Sequence, residues 1–177
     1  MIGDIDQFLS WFEGVHRRTV RDLSLLPAEA ETWRPDPHED PERSWGVPAL
    51  VRHMAEGRAF FVGGFLGNGW VWDTWPDELP TRDTWAPALD ASMDDTRARL
   101  TGRADRLDAK VEQIDNPGRT VSGWRVLMMM AEHEVAHRAQ IGAYAGLNGW
   151  PVAQIFDRTN EWVRGQREDE LRRHPRS

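Results

Sequence analysis

Ile5, Phe8, Leu9, Phe12, Val15, Thr19, Leu23 and Leu26 recur at three- and four-residue spacing until Pro27 stops them. That period places every member of the set on one side of an α-helix and on alternating sides of a strand, so the segment can bury its apolar surface only as a helix. The spacing predicts a first helix over about residues 4 to 25, ended by the proline. A helix with one apolar stripe is stable only against partners, and the rest of the chain supplies them.

Residues 32 to 44, TWRPDPHEDPERS, hold three prolines and many charges and form a connection with little regular structure. Ser44 is the expected N-cap of a second helix, with Pro48 tolerated in its first turn, and Val47, Leu50, Val51, Met54, Phe61 and Phe65 carry it onward. Glycines 63, 64, 67 and 69 and the run GWVWDTWPDELPTRD break the pattern through about residue 83, giving a tryptophan-rich crossover with the makings of a lid. A third helix is expected over about 86 to 114, from the stripe Leu89, Met93, Thr96, Leu100, Leu107, Val111 and Ile114, before Asn116-Pro117-Gly118 turns the chain. The fourth opens near Thr120 or Ser122 and runs to about Leu147, where Asn148-Gly149 caps it and Pro151 prevents continuation. A shorter fifth helix, about 152 to 172, precedes a frayed basic end. No segment shows strand period, repeat or low complexity. The expected fold is all-α: one domain over residues 1 to 177, a four-helix bundle with long crossover connections and a short C-terminal helix.

Composition narrows function by exclusion. The chain has no cysteine, so disulfide scaffolds, cysteine-bound zinc and thiol nucleophiles are out, and any reacting thiol must come with a substrate. Its 177 residues suffice for a core without a structural metal. Net charge is −7, with the arginines diluted by acidic residues, so no basic face is expected to meet nucleic acid. The acidic start MIGDIDQFLSWF and the lack of a long apolar run point to a cytoplasmic protein that does not enter a membrane. The ten tryptophans are read first as core packing.

Chemistry is concentrated in His133-Glu-Val-Ala-His137, inside the fourth helix. Residues four apart lie about 40° apart around a helix axis, so the two imidazoles can close on one cation. A lone histidine in an apolar setting is ordinarily a hydrogen-bonded core residue. Two on one stripe would repel if protonated, and a metal is the more economical reason for them. His53, in VRHMAEGRAFF, is the expected third ligand from a facing helix, and three neutral imidazoles with an open position suit zinc, nickel or another divalent metal. His16, His38 and His174 receive no role.

The same five residues spell H-E-x-x-H, the zinc-protease motif whose glutamate is the general base. A metzincin would continue with Gly at 140 and His at 143, where this chain has Gln140 and Ala143, and a gluzincin would depend on Glu161 downstream. Glu134 points about 100° away from His133, which suits a solvated residue or one orienting an imidazole better than a base on the metal. Gln140 lies on the ligand face and is expected to support a histidine. Arg52, Arg58 and Arg138 are available to attract an acidic substrate, with solvation as their ordinary state.

FLSWFEGVHRRTVRDLSLLPAEAETWRP at the start, ERSWGVPALVRHMAEGRAFF around His53 and WRVLMMMAEHEVAHRAQIGAYAGLNGWP around the pair cover most of the chain, the most specific element being H-x-x-x-H-R-x-Q-I. In these stretches the sequence resembles the DinB-like (YfiT) superfamily of metal-dependent proteins. The resemblance implies a four-helix bundle with long crossovers, a zinc or nickel ion on His53, His133 and His137, and a homodimer acting on a small molecule. It further implies activation of a water or of a low-molecular-weight thiol such as mycothiol or bacillithiol, in hydrolysis, S-transfer or isomerisation; a metal- or ligand-binding module without catalysis is the alternative. Gly57 and the Gly63-Gly64 pair depart from that pattern and are expected to loosen the second helix beyond its ligand.

Overall fold

A computed structural model describes residues 4–39, 41–72, 79–154 and 158–173. Helices α1 (Ile5–Ser24), α2 (Val47–Leu66), α3 (Arg82–Leu100) and α4 (Gly123–Leu147) build a bundle in which α3 and α4 each pack against both α1 and α2. A further helix, α5 (Asn160–Arg173), follows. Asp4 caps α1, its carboxylate accepting from the backbone N–H of Asp6 at 3.0 Å, and the whole 3-4 stripe from Ile5 to Leu26 is buried.

Helix α2 opens two residues later than Ser44. Gly46 is the N-cap, while the Ser44 hydroxyl accepts from the His38 backbone N–H at 2.7 Å. Gly63 and Gly64 do not interrupt α2, which runs on to Gly67 in the left-handed region at φ 81°. They are instead places of close approach: a Cβ on Gly63 would lie 2.9 Å from the Gly69 carbonyl oxygen, and one on Gly64 would lie 2.8 Å from the Trp70 ring. The returning chain lies flat on the helix there.

The third helix is the main departure from the sequence pattern. It ends at Leu100, because Gly102 adopts φ 77° and reverses the chain. A short 3-10 turn (Ala104–Arg106) follows, then a hairpin of β1 (Lys110–Glu112) and β2 (Thr120–Ser122), with Val111 opposite Val121. Leu107 and Val111 still reach the core, but from a turn and a strand, and Ile114 is exposed. Thr120 therefore belongs to β2 and Ser122 takes the N-cap position of α4. The fifth helix begins at Asn160, eight residues later than expected. Of the tryptophan-rich crossover, residues 73–78 lie outside the described residues, as does the lid reading that depends on them. His174 and the end of the expected tail lie outside them too.

Two apolar clusters fill the bundle. One takes Phe8, Phe12 and Val15 from α1, Phe60 to Val62 and Phe65 from α2, Met93 and Leu100 from α3, and Val126, Leu127 and Met130 from α4. The other takes Leu23, Leu50, Val51, Met54, Ala55, Trp85, Leu89, Ile141 and Tyr144. On each of α1 to α4 a few residues are left between the two: Thr19, His53, Gly57, Arg58, Ser92, His133, Glu134, His137 and Gln140 fall at or near this seam. Polar and titratable side chains collect where the two cores meet.

Candidate metal centre

On the seam, α2 and α4 bring His53, His133 and His137 together, one ligand atom from each lying within 4.8 Å of the others. The His53 and His133 Nε2 atoms are 2.8 Å apart, and the ring centroids lie 4.5 to 4.9 Å from one another. All three residues are half-buried. The cluster contains the three histidines singled out from the sequence, and His16 and His38 stand apart from it.

Close backbone approach makes this possible. Gly57 faces the His133 ring, and a Cβ there would come 2.6 Å from His133 Cε1. The glycine that looked like a weak point of α2 is the slot into which the imidazole fits. Phe61 closes the other side of His133 with ring centroids 5.6 Å apart, and Trp45 and Trp72 flank His53 at 4.8 and 5.4 Å. Trp45, which also packs against the second apolar cluster, and the half-exposed Trp72 thus line the site, whereas Trp85 is buried as expected.

Burial, and after it the neighbouring His137 ring, hold His53 and His133 neutral. His53 is pushed down to about 4 by desolvation and then by His137, and His133 to about 3 by desolvation followed by His137, His53 and Arg58. Neutral imidazoles offer lone pairs at neutral pH, which metal binding requires. Gln140 fixes the third ring: its Oε1 accepts from His137 Nδ1 at 3.1 Å, and its Nε2 donates to the Tyr144 hydroxyl at 2.7 Å. With the proton on Nδ1, the Nε2 lone pair of His137 is free to bind, the arrangement that ligating histidines generally adopt. Gln140 supports a histidine as its spacing implied.

Glu134 lies elsewhere. It is 1% exposed, and so is Arg58, which donates to it twice, from Nε at 3.1 Å and from Nη2 at 2.8 Å. The Thr19 hydroxyl adds a third bond at 2.9 Å. Arg58 also donates to the Leu89 carbonyl at 2.8 Å and meets His16 Nδ1 at 3.3 Å, while His16 Nε2 lies 3.0 Å from Asp90. Burial, then the Arg58 charge, lowers the His16 pKa. Neither Glu134 nor Arg58 is solvated, and Glu134 does not touch an imidazole: the 100° step that turns it off the ligand face aims it into the seam. With its oxygens taken up by Arg58 and Thr19, Glu134 lies outside the histidine cluster, and the geometry gives no support to the general-base role that the H-E-x-x-H reading needs. Glu161 is exposed on α5 and outside the histidine cluster. Arg138 pairs with Asp22 at 3.2 Å and Arg52 with Glu56 at 2.8 Å. Composition hid this network, although a charged residue inside VRHMAEGRAFF and another on the far face of the His-bearing helix were its two traces.

His53 also forms part of the wall of a cavity of 680 Å³, together with Arg34, Trp45, Arg52, Glu56 and Leu79. The site therefore has room for an organic molecule beside it.

The DinB family profile matches residues 1–170. A DinB-like protein from Bacillus cereus has a solved structure that superposes with a TM-score of 0.69 at 18% identity, covering 88% of this chain and 99% of that one. One from Bacillus subtilis gives 0.64 at 19% identity, covering 87% and 99%. At such identities the likeness establishes the shared fold. No curated protein matches the sequence.

Proposed function

Because the chain belongs to the DinB family, we propose that His53, His133 and His137 hold a divalent metal, zinc or nickel, and that the protein uses it to act on a small molecule. The observation that carries this reading is the convergence of three half-buried imidazoles from two helices on one point, with Gln140 orienting His137 from behind. Three histidines leave a coordination position open, as in catalytic rather than structural sites. When bound, the metal supplies Lewis acidity, lowering the pKa of a water or a thiol toward neutrality.

The chain's own residues do the rest. Gly57 and Phe61 set the direction of His133, Gln140 and Tyr144 set the tautomer of His137, and Trp45 and Trp72 place aromatic rings beside His53. Absence of cysteine makes any thiol the substrate's or cosubstrate's own, which supports S-transfer from a compound such as mycothiol or bacillithiol beside simple hydrolysis. Both apolar clusters are complete without the cluster of histidines, which favours a catalytic over a folding role for the metal. No helix among the described residues is long and apolar enough to cross a membrane. A homodimer forms part of the proposal, supported by the apolar side chains Val135, Leu147 and Val152, exposed on and just beyond α4.

Elemental analysis of gently purified protein tests the reading. Near one zinc or nickel per chain is expected, lost in His133→Ala with the helical circular dichroism retained. A chain without metal after reconstitution would return the histidines to ordinary packing, and unfolding on chelation would make the metal structural.

A further inference from the structure

We infer that the cavity beside His53 is a binding site for a small organic monoacid, its carboxylate held by Arg34 and its apolar body lying along Trp45 toward the histidines. The inference rests on the metal reading for the reactive end of the site and deepens it by naming the substrate class.

Charge in the cavity wall is the first ground. Among the described residues, the charged side chains lining it are Glu31, Arg34, Arg52 and Glu56. Arg52 and Glu56 neutralise one another at 2.8 Å. Glu31 is satisfied from outside the lining, accepting from the Arg82 backbone N–H at 3.0 Å and from Arg82 Nε at 3.2 Å. The Arg34 side chain has no ion-pair or hydrogen-bond partner among the described residues. Among the described residues, Arg34 is thus the cation of this wall without a counter-charge, in a chain of net charge −7.

Arg34 is also placed. Gly46 packs so tightly on the Trp33-Arg34 backbone that a Cβ there would lie 2.6 Å from the Trp33 carbonyl oxygen and 3.3 Å from Arg34 Cγ. The Arg34 stem is thereby seated next to the residue that follows Trp45, whose ring lies 4.8 Å from that of His53. Arg34, Trp45 and His53 form a continuous wall: a cation, an apolar surface, then the candidate metal ligand. Pro48, Ala49, Leu79 and Pro80 complete the apolar part. A single guanidinium balances one carboxylate, through its planar pair of donors, whereas a phosphate dianion would call for more positive charge than this lining offers.

Ligand-observed NMR with 3-phenylpropionate and its neutral analogue 3-phenylpropan-1-ol tests the inference, on metal-free and zinc-loaded protein. The acid is expected to bind about tenfold more tightly than the alcohol in both forms, the equivalent of one charged hydrogen-bonded contact. Arg34→Ala should remove that preference and Arg34→Lys should keep much of it, because Arg34 is on the surface and neither change touches the core. Equal binding of acid and alcohol, binding of neither, or a preference that survives Arg34→Ala would overturn it. Failure of the protein to load zinc would sink the metal reading alone, since the preference is read without metal.

Discussion

Gly57 and His133 occupy complementary space: the ring of one fills the position where any side chain on the other would begin, 2.6 Å from His133 Cε1. The slot joins α2 to α4 at the level of the candidate metal and determines where one ligand can point. A backbone that cannot tolerate a methyl group is here part of the site.

Gly57→Ala should therefore separate helix stability from metal binding. In an ordinary helix interior the change gains up to about 1 kcal/mol of propensity. Here it is expected to displace the imidazole and lower zinc affinity by about tenfold or more, as measured by competition with a chromophoric chelator. Unchanged affinity would show that His133 moves aside at no cost to the site.

The Arg58–Glu134 pair sets a second expectation. Arg58→Met leaves a buried carboxylate without its counter-charge, at a cost of about 3–5 kcal/mol in urea unfolding. The double variant Arg58→Met, Glu134→Leu should recover most of that loss, since well-packed apolar pairs often replace buried ion pairs without penalty. A double variant as unstable as the single one would mean that the pair contributes more than charge compensation.

Gln140→Leu removes the acceptor that fixes the tautomer of His137. Metal affinity should fall by about 10- to 100-fold with little change in unfolding midpoint, in keeping with other partners of ligating histidines. A large drop in stability with intact affinity would make Gln140 a packing residue instead.

Acidification of the metal-free protein has a defined sign. His53 and His133 titrate at about 4 and about 3 in the fold, below the value of about 6.5 in an unfolded chain. Between these limits the unfolded state binds more protons, so their contribution to stability is complete above about 6.5 and is lost as pH falls through 4 toward 3. Urea midpoints should drop between pH 7 and pH 4, and less steeply in His53→Ala, His133→Ala. Equal slopes would place the proton uptake elsewhere, His16 being the next candidate because its pKa is also lowered.

How much of this could be read from the letters depends on whether one helix or several determine the outcome. The stripe of α1 and the i, i+4 spacing of His133 and His137 are properties of single helices, and both carried through to the structure. The end of α3 was misread because Leu107, Val111 and Ile114 continue a helical period that Gly102 breaks, and a glycine inside a periodic run does not declare its φ. Gly57 was misread for a related reason: its meaning lies in a ring 76 positions away in sequence. The pairing of Arg58 with Glu134 and the seating of Arg34 on Gly46 are likewise contacts between distant segments, which no local pattern encodes.

The indoles of Trp45 and Trp72, set on either side of His53, give the centre an optical voice of its own. Zinc, with a filled d shell, has no low-lying states to accept their excitation, whereas nickel or cobalt at the same histidines would drain it. Intrinsic emission would thus tell a zinc-loaded centre from one holding nickel or cobalt, without a label.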